Sequence, residues 1–133
     1  MNIVITLPKE LIQAIIEGRK TVELRKVKPR LMKLGEDGFF CVEKGTQFIR
    51  CWCRVDDIDY LFGENIKPSE LATRAAVSEE FIMEYAKYGK LMYQWHIGKV
   101  IVIEEDSLVI SSLFVDRNPQ QFAYCPLSYG RTY

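Results

Sequence analysis

A chain of 133 residues, 48% hydrophobic and 27% charged, has enough material for one domain with its own core, and it shows no low-complexity stretch or internal repeat. Its 18 Lys and Arg balance 18 Asp and Glu, so a protein that coats long nucleic acid by charge alone is excluded. The longest apolar runs, Phe39 to Val42 and Val100 to Ile103, are too short to span a membrane, and Met1-Asn2-Ile3 lacks the start of a signal peptide; a cytoplasmic, non-membrane protein is expected.

Asn2 to Ile5 reads as a short opening strand. Pro8 to Glu17 reads as a helix, because Leu11, Ile12, Ile15 and Ile16 recur at helical spacing, with Pro8 suited to a first turn and Gly18 to the left-handed residue after the last. The pattern then switches to period two: Val22 and Leu24 point one way, and Thr21, Glu23 and Arg25 the other. Charge concentrates in the same place. Residues 1 to 54 hold 11 Lys or Arg against 6 Asp or Glu, whereas residues 55 to 133 hold 7 against 12. Arg19, Lys20, Arg25, Lys26, Lys28, Arg30 and Lys33 crowd into residues 19 to 33 with Glu23 as the one acid, which makes either an anion-seeking patch or a solvated face.

Gly18, Lys20, Glu23 and Arg25 spell Gly-x-Lys-x-x-Glu-x-Arg, which resembles the signature of the ASCH domain, a small relative of the PUA fold proposed to bind RNA or nucleotides. Asn118-Pro119-Gln120-Gln121-Phe122-Ala123-Tyr124 is similar to that family's closing segment. The resemblance implies a PUA-like barrel in which the motif strand lines a cleft, with Lys20 and Arg25 meeting a phosphate or base edge and Glu23 accepting from a base amine or holding Arg25. It also implies an alternative, since some small bacterial members are amidohydrolases that deacetylate cytidine nucleosides and others are described as ribonucleases. This chain departs from the amidohydrolase pattern. Where that pattern places a nucleophilic Thr three positions after the Lys, it has Glu23; a catalytic set would then use Thr21 as nucleophile, Glu23 as base and Lys20 at the oxyanion.

Pro29 and the Gly35 to Gly38 stretch mark a loop bordering the motif, Phe39 to Lys44 reads as a strand and Gly45-Thr46 as a turn. Gln47 to Asp57 is the clearest strand, with Ile49, Cys51, Cys53 and Val55 inward and Phe48, Arg50, Trp52 and Arg54 on the other face. Arg50, Trp52 and Arg54 form a candidate stacking platform for RNA, unless Trp52 is covered and the arginines snorkel beside it. Cys41, Cys51, Cys53 and Cys125 are expected as buried free thiols, because Cys51 and Cys53 in one flat strand lack the turn spacing of a zinc site; no metal and no cofactor is expected. Asp56, Asp57, Asp59 and Glu64 lack the spacing of a calcium loop and read as a solvated strand end.

Helices follow at Pro68 to Ala76 and, capped by Ser78 and stopped by Gly89, at Glu79 to Lys87, the latter with a buried stripe of Phe81, Ile82, Tyr85 and Ala86. Tyr93 to Glu105 returns to strand and carries the sole histidine, His96, expected to be hydrogen-bonded rather than catalytic. Leu108 to Val115 reads as a short strand or helical turn, Phe122 and Tyr124 close the sheet, and residues 127 to 133 form a tail. The order predicts an α+β fold: a small, mostly antiparallel PUA-like barrel of about six strands flanked by about three helices. The expected function is an RNA- or nucleotide-binding module centred on Lys20, Glu23 and Arg25.

Overall fold

In the computed structural model, which describes residues 1–62, 65–86 and 92–126, β1 (Asn2–Leu7) turns at Pro8 into α1 (Lys9–Ile16). The helix stops because Gly18 takes φ +80°, a conformation that costs glycine nothing. The amides of Arg19 and Lys20 then fold back onto the Ala14 carbonyl at 2.9 and 3.0 Å. That closing turn holds Lys20 against the end of α1, at the head of β2 (Val22–Arg25).

The chain continues through β3 (Gly38–Glu43), β4 (Ile49–Leu61), α2 (Pro68–Ala75), α3 (Glu79–Ala86), β5 (Met92–Val102), a 3-10 turn at Ile110–Leu113 and β6 (Ala123–Cys125). The strands form one sheet in the order β2-β5-β4-β3-β1-β6. All neighbours are antiparallel except β1 and β3. Gly38 permits the close β3–β4 pairing, since a Cβ there would lie 1.8 Å from the Cys53 carbonyl oxygen.

Both faces of the sheet are covered. On one, Ile12 and Ile15 of α1 pack on Ile3, Ile5, Phe39, Cys53, Val55 and Trp95; burying two such side chains contributes roughly 1.5–3 kcal/mol each. On the other, Val4, Phe40, Val42 and Trp52 lie under Ile103, Ile110, Leu113 and Val115. A register shift at Cys41/Val42 moves Ile49 into this second layer, away from Cys51 and Cys53. A third cluster joins Val22 and Met92 to Leu71, Ala72 and Ala75 of α2 and to Ile82 of α3.

The α+β order with six strands and three helices matches expectation, and Ser78 Oγ does accept from the Phe81 amide at 3.1 Å. The closed barrel does not form. The sheet is open, with β2 and β6 as its edges, and the β1–β3 pair makes it mixed. What crosses the gap is a side chain: Arg25 of β2 donates to the carbonyl of Thr6 in β1 at 3.3 Å and to that of Gln121, just before β6, at 2.8 Å. β4 is also longer than its alternation suggests, since Ile58 to Leu61 stay paired with β5. Phe81, expected in a buried stripe, is 48% exposed while Ile82 is fully buried. Glu64, the helix end at Lys87 with Gly89, the side chains of Tyr85 and Ala86, and the 127–133 tail lie outside the described residues.

Candidate functional site

The three polar residues of the motif meet at this seam. Glu23 Oε1 lies 3.0 Å from Lys20 Nζ, and its Oε2 lies 2.8 Å from Arg25 Nε. All three are largely removed from water, with side-chain exposures of 1% for Lys20, 5% for Glu23 and 11% for Arg25. Lys20 also donates to the carbonyls of Val22 at 2.9 Å and Ala75 at 2.8 Å, so each ammonium proton has an acceptor inside the protein. A buried carboxylate between two cations, with the remaining protons satisfied by backbone, meets the condition under which burying charge is tolerable.

Beside this network opens a recess of about 240 Å³, walled by Leu7, Leu11, Leu24, Val77 and Phe81 and bordered by Lys26, Gln120 and Gln121. Its size falls just under the range of about 300–1,000 Å³ usual for small-molecule pockets, so a single base or nucleoside is the scale of guest it suits. The chemistry on its polar side can be counted. Lys20 has no proton left to offer, which removes it as a phosphate anchor. Arg25 uses three of its five N–H groups, on Glu23, Gln121 and Thr6, and keeps two. The Glu23 carboxylate takes one cation on each oxygen and keeps further lone pairs. The remaining capacity is therefore a donor beside an acceptor.

Thr21 does not line the recess; it is exposed, and its backbone N–H donates to the Arg74 carbonyl at 2.8 Å. The expected Arg50-Trp52-Arg54 platform is not formed either. Trp52 is 1% exposed beneath the layer built by residues 103 to 115, and its indole N–H donates to Asn2 Oδ1 at 3.2 Å. Arg50 is held by Glu43 at 3.3 Å and Asp106 at 3.0 Å, and Arg54 by Asp56 at 2.6 Å. Strand alternation correctly separates Trp52 from Cys51 and Cys53, but it cannot tell that a second layer covers the far face.

The basic patch divides in the same way. Arg19 pairs with Glu17, Lys33 with Glu36 at 2.8 Å, and Lys20 and Arg25 with Glu23. Lys28 and Arg30 are exposed and have no carboxylate partner among the described residues.

Two further clusters lie away from the recess. Cys41 of β3 joins Cys51 and Cys53, all three buried with their sulfurs within 4.8 Å of one another, and no other His, Cys, Asp or Glu ligand joins them among the described residues. Burial pushes the Cys41 thiol well above its ordinary value, while hydrogen bonds from Cys41 and then Cys53 pull Cys51 down to about 5. Spacing along one strand could not reveal the third sulfur, which comes from the strand alongside. His96 is hydrogen-bonded, as expected, with Nε2 2.5 Å from Asp59 Oδ2.

No protein-family model matches the chain, and no curated protein matches it. Solved structures do. Similar crystal structures are those of an ASCH protein from Zymomonas mobilis: a serine-to-alanine mutant at TM-score 0.72 and 20% identity, covering 92% of this chain and 87% of that one; a tyrosine-to-phenylalanine mutant at 0.69 and 19%, covering 92% and 88%; and one described as ASCH at 0.67 and 18%, covering 98% and 90%. No helix among the described residues is long and apolar enough to cross a membrane.

Proposed function

Because the chain has the fold of an ASCH domain, with Lys20, Glu23 and Arg25 gathered at one recess, we propose that it is a binding module for single-stranded RNA or a nucleotide, with one base held in that recess. The observation that carries this reading is the unspent hydrogen-bonding capacity of Glu23 and Arg25 at the edge of an apolar, open hollow. A carboxylate that still accepts and a guanidinium that still donates complement a base edge carrying an amine next to a ring nitrogen or carbonyl. Leu11, Leu24, Val77 and Phe81 offer the apolar faces against which such a ring would lie. Phosphate attraction must come from cations with protons to spare, not from Lys20.

A hydrolase working on a modified nucleoside has weaker support. Thr21, which would have to supply the nucleophile, stands outside the recess that Glu23 lines. The test of the binding reading is titration of a fluorescein-labelled, mixed-sequence single-stranded RNA at low salt, alongside a Val77→Phe variant that narrows the recess without touching the charged network. Wild-type protein should bind, and the variant, shown to be folded, should bind at least about tenfold more weakly. Absence of any RNA or nucleotide affinity at low salt ends the proposal.

A further inference from the structure

A second concavity begins one residue beyond the first. Tyr93 of β5 lies directly opposite Arg25 of β2, and Phe122 follows Gln121, whose carbonyl accepts from Arg25. Tyr93 and Phe122 help line a groove of about 600 Å³, together with Lys28, Arg30 and Tyr124, next along the chain from the Arg25–Gln121 bridge that borders the recess. Three rings and two cations make up most of its wall. The rings are braced: Phe122 and Tyr124 meet edge to face at 5.2 Å, Tyr93 meets Tyr60 likewise at 5.5 Å, and the Tyr124 hydroxyl accepts from the Leu31 amide at 3.1 Å. Lys28 and Arg30 have no carboxylate partner among the described residues.

Resting on the binding reading above, we infer that this groove is a second nucleotide subsite, so that the ligand is a single-stranded oligonucleotide running from the recess past the Arg25–Gln121 bridge into the groove rather than a lone nucleoside. Braced aromatic rings give a base a stacking surface at little entropic cost, and unpaired cations beside them match the phosphate that links it to its neighbour.

The experiment compares a labelled mixed-sequence short RNA with adenosine and cytidine monophosphates, on wild-type protein, a Lys28→Ala/Arg30→Ala variant, Phe122→Leu and the recess-filling Val77→Phe. The RNA is expected to bind roughly tenfold or more tightly than either mononucleotide. Lys28→Ala/Arg30→Ala should erase that advantage and shrink the slope of log affinity against log salt by about 0.7 for each phosphate that the variant no longer neutralises. Both residues are exposed, so this variant folds; Phe122→Leu tests stacking separately and should cost about fivefold or more on RNA. Equal affinity for RNA and mononucleotide, or RNA binding unmoved by Lys28→Ala/Arg30→Ala, would overturn the groove while leaving the recess reading intact. Displacement of the RNA by poly-glutamate as readily as by unlabelled RNA would overturn it too, since the groove would then read charge alone. If Val77→Phe leaves all binding unchanged but Lys28→Ala/Arg30→Ala abolishes it, the recess reading fails and the groove stands as the binding surface.

Discussion

Glu23→Gln is the sharpest perturbation available to the seam. The amide keeps the shape of the side chain but removes the charge that sits 3.0 Å from Lys20 Nζ and 2.8 Å from Arg25 Nε. Whichever way it turns, its NH₂ group must face one of two cations that also only donate. Lys20, 1% exposed at its side chain, would keep the Val22 and Ala75 carbonyls but lose its counter-charge. Removing one member of a buried ion pair costs about 3–5 kcal/mol. At roughly 2.1 cal/mol/K of unfolding entropy per residue, a chain of 133 residues loses about 0.28 kcal/mol per degree, so Tm should fall by about 11–18 °C. Lys20→Met alone should also destabilise, because two buried carbonyls and Glu23 each lose a donor. The double variant Lys20→Met/Glu23→Gln has no stranded ammonium, and urea unfolding should place it at least about 1.5 kcal/mol above the sum of the two single losses. A Glu23→Gln protein within about 1 kcal/mol of wild type, or a double-mutant cycle that is additive within about 0.5 kcal/mol, would refute the view that these charges stabilise the fold as one unit.

Trp52→Ala should cost about 3–5 kcal/mol through poorer packing, and Trp52→Phe less; in urea titrations combined with RNA binding, neither should weaken RNA affinity of the folded fraction. A stable Trp52→Phe protein with impaired RNA binding would mean that the ring is reached by ligand. Gly38→Ala should fail to give soluble folded protein, since the new methyl would sit 1.8 Å from backbone oxygen that β3–β4 pairing fixes in place. Gly98→Ala meets first the Asp56 carboxylate, at 2.2 Å, which can swing away at the cost of an exposed pair with Arg54 worth no more than about 1 kcal/mol; circular dichroism melts of the two variants should therefore diverge.

Most of the local structure was legible because its causes are local. Gly18 ends α1, Ser78 caps α3, and the alternation from Cys51 to Val55 marks β4, each through neighbours a few residues away. The grouping of Lys20, Glu23 and Arg25 was legible for the same reason. Their surroundings were not. The acceptors that occupy them belong to Thr6, Ala75 and Gln121, at separations of 19 residues from Arg25, 55 from Lys20 and 96 from Arg25. Only the fold could decide that Lys20 is spent and Arg25 is not. The sequence left Trp52 open between a stacking platform and a covered side chain for a related reason: periodicity assigns a side chain to a face but not a face to solvent.

The open sheet ties function to stability in a specific way. A closed barrel would satisfy both edges with backbone hydrogen bonds; here one guanidinium reaches from β2 across to Thr6 and Gln121, and Glu23 and Lys20 hold it there. The groups that fasten the seam are the same ones that present a donor and an acceptor to the recess, so replacing them cannot separate loss of binding from loss of fold. Variants in the apolar wall, such as Val77→Phe, can. The converse also follows. A guest that adds hydrogen bonds to Glu23 and Arg25 binds only where the two edges are already fastened, and it stabilises that state by RT ln(1 + [L]/Kd), about 2.7 kcal/mol at a hundredfold excess over Kd. By the same entropy scale this raises Tm by about 10 °C, and a ligand that binds the outer surface without crossing the seam would protect Glu23→Gln as well as it protects wild type, whereas one seated against Glu23 would not.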